Sequence, residues 1–202
     1  MKNKKPWNKN KVVGAKPPLT PEQTHLIKLL LASSEKLRDQ ALFALAIDSS
    51  FRGSDIINLK VSDIMINGEM QEVIKIKQQK TDNAVSAYLS ESTRSLLRAL
   101  IDEQDKGWND FLFTREKGSK DAHITAHRYR EILKKLFEKA GLNPSKYGSH
   151  SLRRTKTSLI YKKTGNLRAC QKILGHKSIQ NTANYLGIEE TEALELSKEF
   201  SI

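Results

Sequence analysis

The chain holds a single cysteine, Cys170, among 202 residues. A lone thiol closes no intrachain disulfide and supplies no multi-cysteine zinc site, and it fits a reducing cytoplasm. No run of about 18 apolar residues occurs, so no membrane-spanning helix is expected. The first residues are basic but lack the apolar stretch of a secretory signal, so export is not expected either. A Walker-type glycine loop and a carboxylate cluster for two metals are also missing, so neither ATP nor magnesium is implied. His123 and His127 stand four apart, a spacing that would put two ligands on one helix. No glutamate follows the first and no third ligand accompanies them, so a zinc centre is not expected. The reading is of a protein without cofactor or metal.

Acidic residues are few beside basic ones. The 23 Asp and Glu against 35 Lys and Arg leave a net charge of +12, and the isoelectric point is about 9.7. Such an excess favours a polyanionic partner, because lysine and arginine neutralise phosphates and release counterions. Charge does not separate DNA from RNA. The length suits one domain with a sizeable core. Residues 1–18 stand apart from it: Lys2, Lys4, Lys5, Lys9, Lys11 and Lys16 occur with no acidic residue, among Pro6, Gly14, Pro17 and Pro18. This composition cannot bury a core, so a flexible basic arm is expected, either tracking DNA or serving as a solubilising tail.

Order is expected from Thr20-Pro21-Glu22-Gln23, a helix N-cap with proline in the first turn and a capping-box partner three residues on. A second helix, about 35–48, carries Leu42, Phe43, Leu45, Ala46 and Ile47, too dense an apolar run for a surface helix. A short helix follows from Ser54 to Leu59, with Asp55 in its first turn. The middle changes character: 72–77 and 84–89 are β-rich and flank a polar turn at Thr81-Asp82-Asn83, predicting an antiparallel hairpin with one more strand near 61–66. Helical patterns return at 91–104, 125–140, 149–162, 166–174, 178–184 and 189–199, the last presenting Ala193, Leu194, Leu196 and Phe200. The fold class is mainly α with a small antiparallel β-sheet.

Several residue patterns carry chemistry. His150 and Arg153, at i and i+3, share a helix face and can reach one ligand; arginine offers a planar donor fork to phosphate, and histidine a donor near neutral pH. The alternative is a solvated basic face, since Arg154 and Lys156 follow. In Leu174-Gly175-His176-Lys177-Ser178, Gly175 reads as a helix C-cap and Ser178 as the next N-cap, leaving His176 in the turn. Tyr185 stands nine positions after His176, just beyond the expected 178–184 helix. Tyr161 competes with it but falls on an apolar helical face. Arg52 lies at the junction of a buried helix and the next one, where a charge needs a partner or a ligand. Asp55, three residues on, could orient it. Lys80 lies near the hairpin turn, with Lys75 and Lys77 as competitors.

Taken in order, Arg52 with Asp55, His150-x-x-Arg153, Leu174-Gly175-His176 and Tyr185 resemble the motifs of the tyrosine recombinase (phage integrase) family. The run 51–59 is similar to that family's first arginine box, in which an acidic residue follows the arginine by three. It departs from the box at Ser50-Phe51, where glycine followed by Leu or Met is more usual. The resemblance covers about residues 20–202. It implies a catalytic domain alone, expected at 19–202, as in short members such as the fimbrial phase-switch recombinases. Many relatives add an N-terminal helical domain that grips the other face of DNA, for which this chain has no room.

The resemblance implies roles as well. Tyr185 would attack the scissile phosphate; Arg52, Arg153 and His176 would stabilise the charge; His150 would take the phenol proton; and Lys80 would protonate the leaving 5′ oxygen. The implied function is site-specific integration, excision or inversion of double-stranded DNA, without cofactor. It would be performed in the cytoplasm by a homo-oligomer, a tetramer on two DNA sites, with a possible accessory DNA-bending protein. The last helix would then dock on a neighbouring protomer, or else close the protein's own core. A non-catalytic DNA-binding regulator, or an accessory protein of a partner recombinase, is the rival, because 149–184 resembles a helix-turn-helix with a basic face. A type IB topoisomerase is a further alternative, with similar chemistry and no need of partner protomers.

Overall fold

A computed structural model of the chain describes residues 16–34, 36–115, 122–187 and 197–199. The helices are α1 (Pro21–Ala32), α2 (Leu37–Ser49), α3 (Gly53–Ile57), α4 (Glu91–Glu103), α5 (Ala126–Lys139), α6 (Ser149–Thr164), α7 (Leu167–Leu174) and α8 (Ile179–Leu186). Four short strands, β1 (Met65–Ile66), β2 (Glu69–Met70), β3 (Val73–Lys77) and β4 (Ala84–Tyr88), lie between α3 and α4. The mainly helical class with small antiparallel sheets is thus the observed one.

Helix α2 is the axle of the core. Ala41, Leu42, Phe43, Leu45 and Ala46 are all buried, so it is apolar on every side. It packs against α1, α4, α6 and strand β4, while α7 lies on α6 and on β4, and α8 on α6 and α7. The amphipathic α5 turns Tyr129, Leu133, Leu136 and Phe137 inward and meets α1 and α3. Helix α1 begins as its sequence predicts: the Thr20 hydroxyl accepts the Gln23 N–H at 3.1 Å, and Gln23 Oε1 accepts the Thr20 N–H at 3.0 Å.

Strands β3 and β4 pair from Val73↔Tyr88 to Lys77↔Ala84, which is the predicted hairpin. The further strand expected at 61–66 takes another form. Asp63 accepts the Lys60 N–H at 2.8 Å, and Val61–Asp63 winds into a single 3-10 turn. Only Met65–Ile66 is extended, and it pairs with Glu69–Met70 across an Asn67-Gly68 turn as a separate two-stranded sheet. Both turn residues have positive φ, as a two-residue hairpin of the Asn-Gly kind requires. The helix expected at 189–199 falls largely outside the described residues, as do Ala193, Leu194, Leu196 and Phe200; Ser197–Glu199 are helical. Most of the expected basic arm likewise lies outside them.

The left-handed C-cap of α2 is Ser50, at φ 53 and ψ 24, the position where the resemblance leads one to expect glycine. Its hydroxyl is buried without a partner. A side chain in this conformation costs about 1–2 kcal/mol, part of which glycine returns through the greater entropy of its unfolded chain. Ser50→Gly should therefore raise stability by about 1 kcal/mol, or roughly 2–4 °C in Tm for a chain of this size. Urea and thermal denaturation of the variant check this.

Candidate active site

The left-handed turn at Ser50 swings the chain out of α2, so that Arg52 arrives as the N-cap of α3. Its guanidinium is half-buried, and Nη1 is fully enclosed with no partner. Asp55 was expected to orient it. Instead Asp55 Oδ1 accepts the backbone N–H of Gln79 at 3.0 Å, while Oδ2 is buried and unpartnered. The hairpin turn offers an N–H with no strand partner, and the carboxylate takes that. Asp55 therefore pins the β3–β4 hairpin to α3.

Helix α6 delivers the next groups. His150 and Arg153 stand one turn apart at its start, behind the Gly148 N-cap. Arg153 is 2% exposed; its Nη2 donates to the Leu174 carbonyl at 2.7 Å and its Nη1 has no partner. Burial brings its pKa down to about 10, with Tyr185 opposing the fall and Arg52 adding to it, so it remains a cation at neutral pH. His150 binds its proton less well than a free imidazole, through burial first and then the charges of Arg153, Arg52, Lys80 and Arg154. The solvated basic face considered for this helix is not what forms. Arg154 is 4% exposed and Lys156 sends its Nζ to the Asp48 carbonyl at 2.8 Å. Sequence reasoning passed over Arg154, although it stands four residues after His150 and hence on the same face.

The third component is the turn between α7 and α8. Gly175 ends α7 at φ 65, and a Cβ there would overlap Val85 and crowd Gln78. Such close approach lets the hairpin hold the turn by its carbonyls. Gln78 Nε2 donates to Leu174 O at 3.2 Å and Asn83 Nδ2 to Gly175 O at 3.0 Å. Nothing in the sequence singles out Gln78, which is fully buried despite its polar strand-end setting. His176 follows in the turn, as expected, with Nδ1 at 3.2 Å from Thr182 Oγ1. Burial, then Arg153 and Arg52, press its pKa down from 6.5 to about 4. Lys80 is exposed in the hairpin turn, and its charge is felt at His150. Lys77 is instead engaged with Asp82 at 3.3 Å.

Helix α8 runs two residues further than its sequence suggests, so Tyr185 lies in its last turn, before the Gly187 cap. The phenol oxygen is 3.5 Å from His150 Nδ1, the outer limit of a hydrogen bond. The His176 ring meets the Tyr185 ring edge-on at 5.2 Å, and the Arg154 guanidinium lies 5.3 Å from its centroid. Burial raises the Tyr185 pKa; Arg153, Arg154 and Arg52 oppose that rise. The competitor Tyr161 sits about three turns along α6 from His150. Arg52, His150, Arg153, His176 and Tyr185 thus converge, with Lys80 at the rim. His123 and His127 do not share a helix: His123 precedes α5, where it bridges to Thr114 and packs against Phe111. Among the described residues, no group of three metal-ligating side chains occurs, and no helix is long and apolar enough to cross a membrane.

Two outcomes follow from this geometry. Gly175→Ala adds a left-handed side chain and a clash, and should cost about 2–4 kcal/mol in urea denaturation. His176 has a folded pKa of about 4 against 6.5 for the free group, so between those values the unfolded chain binds the extra proton. Its contribution to stability is complete above pH 6.5 and shrinks as pH falls towards 4. His176→Gln should accordingly show a shallower loss of stability than the parent over that window, measured by urea midpoints at stepped pH.

Comparison with known proteins agrees with this geometry. Residues 19–192 match the phage integrase family. The tyrosine recombinase XerC of Caldanaerobacter subterraneus is 28% identical over 188 residues, covering 85% of this chain and 50% of that protein. The probable integrase/recombinase YoeC of Bacillus subtilis is 29% identical over 170 residues, covering 84% and 87%. The chain therefore spans about half the length of some curated relatives, such as XerC, and most of others. Among solved structures, XerH site-specific recombinase bound to palindromic difH substrate superposes with a TM-score of 0.73 at 23% identity, over 91% of this chain and 53% of that one. A match over this share of the sequence, on the same fold and with the motif residues gathered at one place, settles the kinship: the chain belongs to the phage integrase family, and its domain is a tyrosine recombinase catalytic domain.

Proposed function

We propose that this protein is a site-specific DNA recombinase that cleaves and rejoins strands through a 3′-phosphotyrosyl intermediate. One observation carries the reading: the Tyr185 phenol lies beside His150 in a pocket of guanidiniums, and Arg52 and Arg153 each keep a buried Nη1 without a partner. Buried donors left open at neighbouring arginines suit an anion with several acceptor oxygens, which is what a phosphodiester brings.

The chemistry is derived from the charge states. Tyr185 is held neutral by burial and must lose a proton as it attacks. His150, whose proton affinity is lowered, is free to receive it at neutral pH. The phenol oxygen forms the new bond to phosphorus as the bond to the 5′ oxygen breaks. Lys80 supplies the proton that the leaving 5′ oxygen needs. Charge that builds on the non-bridging oxygens meets Arg52, Arg153 and His176. A bound phosphate also restores proton affinity to His176, so that the ring can donate to it. Rejoining runs the same steps backwards: the 5′ hydroxyl attacks and Tyr185 leaves. The bond energy is conserved in the phosphotyrosyl link, and no external energy source is needed.

The excess of basic residues supports a polyanionic substrate, and membership of the phage integrase family supports double-stranded DNA as that polyanion. The XerH complex contains a palindromic site. A palindrome is matched by symmetry-related protein copies, which supports action as a homo-oligomer, a tetramer when two sites are joined. An accessory DNA-bending protein and a cytoplasmic setting accord with this reading, as does the choice among integration, excision and inversion being left to the arrangement of sites.

Covalent trapping tests the proposal. The protein and its Tyr185→Phe variant are incubated with nicked duplexes from the neighbouring genome, denatured and run on a gel. A denaturation-resistant protein–DNA band is expected for the parent and none for the variant, with DNA affinity at fixed salt kept within about threefold. A band that persists in Tyr185→Phe overturns the nucleophile. Tight binding with no band from either protein favours a DNA-binding regulator.

A further inference from the structure

We propose that Arg154 is a positioning residue for Tyr185, and that it ties the nucleophile to the segment at Lys16 where the basic N-terminal residues join the domain. The proposal rests on Tyr185 being the nucleophile.

Arg154 makes its contacts on two sides at once. Towards α8 its guanidinium lies 5.3 Å from the Tyr185 ring centroid, within the range of a cation–π attraction. It also passes the Gly187 cap, where a Cβ would come within 3.5 Å of Nη2. Towards the N-terminus, Nη1 donates to the Lys16 carbonyl at 2.7 Å. Lys16 is itself fastened, its Nζ donating to the carbonyls of Ser145 at 2.9 Å and Tyr147 at 3.1 Å, just ahead of α6. Leu19 N–H donates to Thr155 Oγ1 at 3.1 Å, one residue along from Arg154.

The charge balance points the same way. Among the described residues no carboxylate pairs with Arg154, and its Nε is buried without a partner. A cation that is 4% exposed is left with the Lys16 carbonyl and the Tyr185 ring as favourable neighbours. Ring and cation therefore hold each other, and the Lys16 carbonyl fixes the guanidinium that does the holding. Arginine is suited to both tasks because its planar fork can donate at one corner while its face meets a ring. As Tyr185 loses its proton, the same cation becomes the neighbour of a phenolate, so the contact strengthens along the reaction. A pull on residues 16–19, such as DNA binding to the lysines ahead of them would exert, can reach the nucleophile through this side chain.

The experiment uses the full chain and its variants Arg154→Met, Arg154→Lys, Lys16→Ala and the double Lys16→Ala/Arg154→Met. Tyrosines are replaced biosynthetically by fluorotyrosine, whose more acidic phenol is followed by fluorine NMR without DNA, and Tyr185→Phe assigns the resonance. In Arg154→Met the Tyr185 midpoint should rise by about half a pH unit or more, and Arg154→Lys should recover part of that. Lys16→Ala should shift the midpoint in the parent and have little further effect in Arg154→Met, because both act through one contact. Single-turnover cleavage should fall about tenfold in Arg154→Met, with DNA affinity changed by less than about threefold. An unmoved midpoint in Arg154→Met overturns the positioning role, and additive shifts overturn the link to Lys16. Should Arg154→Met fail to fold, the midpoint in Arg154→Lys decides, because the stacked fork is lost there while the charge stays. If the midpoint moves as expected but the parent traps no DNA, the recombinase reading fails and the contact stands.

Discussion

The candidate site hangs on one carbonyl. Leu174 is the last residue of α7, where a helix leaves its final C=O groups without intrahelical donors. Its oxygen accepts from Arg153 Nη2 on α6 and from Gln78 Nε2 at the end of β3. A three-way junction of α6, α7 and the hairpin forms at a single atom. Arg153 takes its orientation directly. The hairpin carrying Lys80 is fixed two residues before the lysine, and the turn carrying His176 begins one residue after Gly175 is clamped through Asn83. Asp55 closes the ring from the far side by holding Gln79. Residues separated by most of the chain thus come to share one frame.

This frame concentrates positive charge that it does not neutralise internally. Arg52, Arg153 and Arg154 are wholly or partly buried, each with a guanidinium nitrogen that finds no acceptor, and Asp55 spends one oxygen on a backbone amide. Removing charge from water without a counter-ion is unfavourable, and the depressed proton affinities of His150 and His176 express that same cost. Under the proposed function the missing counter-charge is the ligand's, and stability that a better-paired core would have had is held back for the moment a phosphate arrives.

Much of this was legible in the sequence, and for identifiable reasons. The caps at Thr20, Gly175 and Ser178, the β-rich run at 72–77 and the dense apolar stretch of α2 are local signals, and local signals survive folding. The ordered motif residues were legible as a set, and they meet in space. What the sequence did not disclose depends on partners far away along the chain. Asp55 looked like the orienter of Arg52 because they are neighbours on one short helix, yet a hairpin amide 24 positions off claims its oxygen. Arg154 looked like one charge of a wet face because Tyr185 and Lys16, which enclose it, are remote in sequence. Gln78 carried no signal at all, since a buried amide is defined by the carbonyl that it finds. The further strand is shortened to Met65–Ile66 for a local reason that pattern reading underweights: the Asp63 carboxylate accepts the Lys60 N–H, and Val61–Asp63 winds into a 3-10 turn.

The brevity of α8 has a consequence of its own. Eight residues between Ser178 and Gly187 are too few for a helix to persist by itself in water, so its order is borrowed from α6 and α7. The phenol proposed as the nucleophile therefore rides on one of the least self-sufficient elements of the fold, close to the low end of its ladder of local opening energies. Amide exchange in α8 would then be a gauge of readiness, since the fraction of molecules with that helix docked is the fraction in which tyrosine, histidines and arginines coexist. Control of the proposed strand cleavage need not touch the chemistry: anything that lends or withholds a packing surface for those eight residues would set its rate.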